Sequence, residues 1–225
     1  MEPLTIEEFV NSRMQKEQKN HEKFYLETDR ILEIDLDGKI FMKHGAMISY
    51  DGSIKFEKTG ISDHGLNKYL KQKITGEELT LTKAIGNGKL YLADYGKKIL
   101  LLKLNDEGII VNGSDVLAFE DTINYDVVMM KTGGAALAGG IFNINFSGSG
   151  LLAITTYFEP LVLKVIPGKT VYTDPGATVA WSNTLAPTIN TDITLKTLTG
   201  RSSGETIQMK FEGNGFVVVQ PYETY

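Results

Sequence analysis

One seven-residue pattern is written three times in this chain of 225 residues. Val179-Ala180-Trp181-Ser182-Asn183-Thr184-Leu185 reads aliphatic, small, aromatic, two polar turn residues, hydroxyl, aliphatic. Leu117–Ile123 and Ile48–Ile54 read the same way, with Phe119 and Tyr50 in the place of Trp181. The three aromatic positions stand 69 and 62 residues apart. Self-similarity on this scale means that one structural unit recurs and that neighbouring units cover one another's apolar faces.

A second element alternates with the first. Gly86-Asn87-Gly88, Gly148-Ser149-Gly150 and Gly213-Asn214-Gly215 each precede an apolar run in which Leu90, Leu152 and Val217 are equivalent, as are Leu92, Ile154 and Val219. That is period two, the strand period. Ala84, Phe146 and Phe211, upstream of the glycines, keep the same phase. Glycine inside a strand marks a bulge or a close backbone approach, and the shared parity favours close approach, near a pseudo-threefold axis. With no helix start and no further glycine in the dinucleotide pattern, Gly-x-Gly is not a nucleotide-binding signature here.

The order along the chain is aromatic element, Gly-x-Gly, and so on, three times. Taken at face value, two complete units lie in the middle and a third is divided between the termini. Strands near Ile31–Ile54 are then expected to meet those near Met209–Val219, each covering an apolar face and an edge that would otherwise be free. The predicted fold is mainly β, with three pseudo-equivalent units forming one closed, sandwich- or prism-like body. An N-terminal helix and a short inserted helix complete it. The expected division is residues 1–25 for the N-terminal helix and 26–225 for a single β domain.

Local signals fill in this outline. Thr5 and Glu8 make a capping box, with Leu4 able to staple onto Phe9. They start a helix predicted over residues 3–25, docked through Ile6, Phe9, Val10 and Met14, an oligomer contact being the alternative use of that stripe. Asp37-Gly38 between apolar runs predicts a hairpin turn. Ser62–Thr75 predicts the inserted helix, with Leu66, Tyr69, Leu70 and Ile74 on one face, Gly76 past its end, and a basic side from Lys68, Lys71 and Lys73. Connectors precede each Gly-x-Gly element, the central one the small-residue run Met129–Gly140. Gathered on one face, they would suit binding.

Composition sets the outer limits. A formal charge of −5 and a pI near 5.3 argue against nucleic acid, whose recognition rests on neutralising phosphates. The chain contains no cysteine, hence no disulfide framework and no thiolate chemistry. No apolar run reaches membrane-spanning length. The acidic start (Glu2, Glu7, Glu8) reads as neither a signal peptide nor an Arg-rich transit peptide, so a cytoplasmic protein is expected.

Candidate chemistry is sparse. His21, His44 and His64 are scattered, whereas a metal site on an all-β scaffold needs imidazoles that converge. His44 occupies the turn position that Gly113 and Pro175 hold in the other units. Trp181 could serve as a ligand platform, but its equivalence with Phe119 and Tyr50 assigns it to the core. Gly200-Arg201-Ser202-Ser203-Gly204-Glu205 is not a nucleophile elbow, although Arg201 and backbone N–H groups there could hold an anion. Asp94, Asp121 and Asp126 show no pairing. The expectation is therefore no catalytic residue, no metal ligand and no cofactor.

The Gly-x-Gly strand starts, the Leu/Val-Ala-aromatic elements, the Gly-Glu before a Gly-x-Gly strand and the ending Met209–Pro221 together resemble the altered-inheritance-of-mitochondria (mitochondrial biogenesis) family over about residues 25–222. The resemblance implies a β body similar to the tryptophan RNA-binding attenuation protein fold, without implying RNA binding. It carries no catalytic residues over, and it links a yeast mitochondrial member to inner-membrane organisation. For this chain a bacterial, cytoplasmic relative is expected. The function expected is a non-enzymatic binding or scaffold protein, linked to membrane or complex organisation, with a protein partner or self-association and at most peripheral membrane contact. The alternative is a small-ligand-binding protein or enzyme with a pocket among the connectors.

Overall fold

The computed structural model describes residues 3–15, 22–59, 80–130, 141–191 and 207–223. Apart from one helix, α1 (Ile6–Arg13), and a 3-10 turn at Gly113–Asp115, its regular structure is antiparallel β. Strand β1 (Phe24–Thr28) lies on the first half of β2 (Ile31–Lys43). Then come β3 (Met47–Tyr50), β4 (Ser53–Thr59) and β5 (Leu81–Leu92). The next group is β6 (Lys98–Asn112), β7 (Val116–Glu120), β8 (Ile123–Met130) and β9 (Ile141–Thr156). The last is β10 (Leu161–Val165), β11 (Val171–Thr173), β12 (Thr178–Ser182), β13 (Thr188–Thr191), β14 (Ile207–Phe211) and β15 (Gly215–Val219).

One pairing scheme recurs. The long first strand pairs with the long last strand in β2·β5 and β6·β9, and in broken form in β10·β15 and β11·β14. The third strand flanks the last one in β4·β5, β8·β9 and β13·β14. The strand carrying the repeated aromatic lies beside it, with Tyr50 opposite Leu90, Phe119 opposite Leu152 and Trp181 opposite Val217. The connectors span 60–79, 131–140 and 192–206, outside the described residues. They leave and rejoin the sheet at paired positions, Thr59↔Leu81, Met130↔Ile141 and Thr191↔Ile207.

The expected closure does not occur. Twelve strands form one sheet whose path, β10-β15-β12-β6-β9-β7-β2-β5-β3, has two free ends, and β11-β14-β13 forms a separate small sheet. The closed prism is therefore corrected to a large open antiparallel sheet. Nor do the termini complete a unit together: β2 and β3 pair with β5, and β14 and β15 pair with strands of the last third of the chain. The reason lies in how a unit is counted. Each aromatic element pairs with the Gly-x-Gly strand that follows it, so each third of the chain is complete in itself.

Two further expectations change, and a third is not described. Asp37-Gly38 makes no turn; β2 runs straight through it, with Asp37 opposite Asn87 and Gly38 opposite Gly86. Asn87 Nδ2 donates to Asp37 Oδ1 at 2.6 Å, and Gly38 takes φ +96° within the strand. The N-terminal helix is shorter than predicted. Its capping box forms, with Glu8 N donating to Thr5 Oγ1 and Thr5 N to Glu8 Oε2, but Leu4, Ile6, Phe9, Val10 and Met14 are all exposed, so the stripe is not docked. The helix predicted over Ser62–Thr75 lies outside the described residues.

Close backbone approach does explain the Gly-x-Gly element, although what approaches is a turn and not a symmetry axis. Gly86 has φ +140° and Gly88 φ +147°, and a Cβ on either would collide with the carbonyl of Ser53 or Asp51 in the turn after Tyr50. In the central unit Thr122 and Ile123 crowd Gly150, and in the last Ser182 and Leu185 crowd Gly215. The two repeated motifs are thus halves of one device, the polar turn of the aromatic element resting on the glycines. Gly86→Ala is expected to cost the strain of that backbone, about 1–3 kcal/mol, plus the clash. Gly38→Ala, at positive φ with nothing within 4 Å, should cost the strain alone. Equal denaturant midpoints for the two variants would contradict this account.

Candidate functional site

The interior consists of three apolar clusters. The first gathers Phe24, Leu32, Ile40, Leu90 and Leu117, the central one Phe41, Phe119, Phe146, Ile109 and Leu152, and the last Trp181, Phe211, Met209 and Val217. Phe119 stacks on Phe41 at 5.1 Å and meets Phe146 edge-on at 4.9 Å, as Trp181 meets Phe211 at 5.8 Å. Phe119 and Trp181 are fully buried, as their repeat position predicts, but Tyr50 is 46% exposed. In the first unit Ala84 stands at the sequence position that Phe146 and Phe211 hold in the other copies. Among the described residues the only ring that Tyr50 meets is Phe56, edge-on at 5.3 Å, and no strand covers the outer edge of β3.

Polar groups converge in one buried place, where the β5–β6 turn meets the 3-10 turn before β7. Lys43 Nζ lies 2.9 Å from both Asp94 oxygens and 2.8 Å from the Ser114 carbonyl. Lys97 Nζ lies 2.9 Å from Asp115 Oδ1 and 3.5 Å from Asp94 Oδ2, with the Tyr157 ring 4.7 Å below it. Thr155 Oγ1 donates to Asp94 Oδ2 at 3.0 Å. Two ammonium groups face two carboxylates, so the charges balance, which is the condition for burying them. Burial pulls Lys97 down, but Asp115 and Asp94 outweigh it and its pKa is raised; burial likewise pushes the Asp115 carboxyl up against the pull of Lys97. The cluster joins the first and second thirds of the chain, and none of its buried side-chain polar atoms lacks a hydrogen-bond partner. Sequence reading saw only Asp94, since the residues matching Lys43, Asp94 and Asp115 at the next junction (Asn112, Thr156, Ala177) are uncharged and the one matching Lys97, Glu159, has the opposite sign, so the repeat flags nothing.

A second group lies across β2 and β5, where Lys89 Nζ meets Glu33 Oε1 at 2.6 Å. Burial, then the hydrogen bond and charge of Glu33, push the Tyr91 hydroxyl up to about 12. Lys97 and Tyr91 are both raised above their unfolded values of 10.5 and 10.0. Above about pH 10 the folded chain therefore keeps protons that the unfolded chain has released, and stability falls as pH rises. Melting temperature should drop between pH 9 and pH 12, and less steeply in a Lys97→Met, Tyr91→Phe double variant. Identical slopes would refute the assignment.

The remaining sequence candidates do not converge. His44 Nδ1 is 3.1 Å from Thr82 Oγ1 and the His44 backbone N–H donates to the Thr80 carbonyl, a turn-holding role. His21, His64 and Gly200–Glu205 lie outside the described residues. Asp121 pairs with Lys39 at 3.4 Å, and Asp126 is exposed on β8. Among the described residues no three His, Cys, Asp or Glu side chains are grouped to hold a metal ion, and no helix is long and apolar enough to cross a membrane. Two clefts open widely to solvent, one along Asp106–Gly108 and Ser182–Thr184, the other at Ala177 and Gln220–Glu223.

Besides the α1 stripe, Tyr95 and Phe158, exposed apolar side chains stand on strands at the two ends of the sheet system. On β3, Met47, Ile48 and Tyr50 are exposed; at the other end so are Leu161 and Val162 of β10, Ile166, and Tyr172 of β11. Sequence reading missed both edges because it expected a closed body, with strands near Ile31–Ile54 meeting those near Met209–Val219.

This architecture defines a mainly β protein built on a large antiparallel sheet with free apolar edges. The chain belongs to the mitochondrial biogenesis AIM24 family, whose sequence model matches residues 24–222. The family is the one that its motifs resemble. Its fold is similar to the X-ray structure of a Streptococcus pyogenes protein solved as a structural-genomics target, with a TM-score of 0.69 and 23% identity over 89% of this chain and 92% of that one. No curated protein matches the chain.

Proposed function

We propose that this protein is a non-enzymatic binding or scaffold module that works through its uncovered sheet edges in the organisation of a complex. The observation that carries this reading is the contrast between its polar and apolar groups. Its buried ionic groups are partnered within the chain, whereas apolar strand edges at both ends of the sheet path stand in water. Contiguous exposed apolar surface is the ordinary mark of an interaction site, and an unpaired strand offers backbone donors and acceptors along with its side chains. A catalytic site would instead present unpaired polar groups converging on a cavity.

The test is affinity capture of the tagged chain from its native cells, with and without detergent extraction of membranes, beside a variant carrying Ile48→Asp. Co-purification of a defined protein with the wild type, lost with Ile48→Asp, is the expected result. The reading would be overturned by a host metabolite that raises the melting temperature stoichiometrically while edge variants capture the same proteins as the wild type.

A further inference from the structure

The chain makes one particular contact twice. Strand β7 lies on β2 with Phe119 opposite Phe41 and Ala118 opposite Met42. Strand β12 lies on β6 with Trp181 opposite Ile110 and Ala180 opposite Val111. The steps of 69 and 62 residues that lead from Tyr50 to Phe119 to Trp181 also lead from Phe41 to Ile110 to Tyr172. Each contact therefore sets the aromatic strand of one unit on the first long strand of the unit before it, in one register. Three units carry three such surfaces of each kind, and the two contacts use two of each.

The remaining pair is β3, with Tyr50, and β11, with Tyr172. Among the described residues β3 pairs only with β5 and β11 only with β14. Tyr50 is 46% and Tyr172 51% exposed, whereas their counterparts Phe119 and Ile110 are 0% and 8%. Among the described residues neither edge strand is covered by another strand. Met47-Ile48-Ser49-Tyr50 and Val171-Tyr172-Thr173 hold no charge and no proline, the usual means of blocking edge pairing. The irregularity in β3 between Met47 and Ser49 is no obstacle, because β7 and β12 carry the same one and both are paired.

We infer that a second copy of this chain completes the contact, β3 of one copy adding to β11 of the next with Tyr50 opposite Tyr172 and Ser49 opposite Thr173. This names the partner within the binding-module reading above and rests on it. The two edges are different surfaces, so the contact is head-to-tail, and it builds a ring if the rotation closes and a filament if it does not.

Light scattering on the purified full chain over a wide concentration range tests this, with melting curves to confirm that each variant folds. The wild type should exceed the mass of one chain as concentration rises. Tyr50→Asp alone and Tyr172→Asp alone should each stay single, since each lacks one of the two edges. Mixed, they should form a 1:1 pair and stop there, because each retains the edge that the other has lost. A wild type of single-chain mass throughout would overturn the inference, as would a single variant that associates like the wild type or a mixture that stays single. If the wild type stays single yet still captures a host protein through Ile48, the inference falls and the binding-module reading stands.

Discussion

Trp181→Ala is expected to lower the unfolding free energy by about 3–5 kcal/mol, the range for emptying a large buried aromatic site. Trp181 is 1% exposed and sits among Phe211, Met209, Val217 and Leu185 on a strand that is itself wholly buried. It is paired on both sides, with Val217 of β15 and Ile110 of β6, so the strands cannot move in to fill the space. One effect works the other way. The indole Nε1 is buried without a hydrogen-bond partner among the described residues, and removing a desolvated donor recovers about 1–3 kcal/mol. The loss should therefore fall toward the lower end, and Trp181→Phe should cost much less than Trp181→Ala. Tyr50→Ala, at the matching but exposed position, should change the denaturation midpoint little. Equal losses at Trp181 and Tyr50 would show that burial does not separate the copies.

Asp94→Ala is expected to be comparably damaging, about 3–5 kcal/mol, because it leaves buried charge without its counter-ion. Asp94 accepts from Lys43 and Thr155 and forms an ion pair with Lys97 at 3.5 Å. Without it two ammonium groups face the single carboxylate of Asp115. Replacing Lys43, Asp94, Lys97 and Asp115 together with apolar side chains of similar volume should restore most of the loss, since a balanced buried cluster is about as stable as a well-packed apolar one. Glu212→Ala, at an exposed pair with Lys210, serves as the control and should barely move the melting curve. A mild Asp94→Ala would mean that water reaches the cluster.

Much of the local structure was legible in the chain. The period-two runs after each Gly-x-Gly became β5, β9 and β15, and the equivalence of Leu90, Leu152 and Val217 reappeared as the partners of Tyr50, Phe119 and Trp181. The capping box formed at Thr5 and Glu8 as read. Asp37-Gly38 misled because a long strand paired along its whole length overrides a two-residue turn preference. The buried Lys43–Asp94–Lys97–Asp115 cluster left almost no trace, since its members come from three separate turns and strand ends.

The sequence by itself determined the mainly β character, the repeat and the inward face of the strands around each Gly-x-Gly, because these follow from local periodicity and from what glycine permits. Only the tertiary structure decided which strands are neighbours, whether the ends meet and which of the three aromatics is buried. Those outcomes depend on the rotation between successive units, a sum of small sheet twists that no single residue encodes. That rotation leaves Tyr50 and Tyr172 in water where the same pattern elsewhere in the chain buries Phe119 against Phe41.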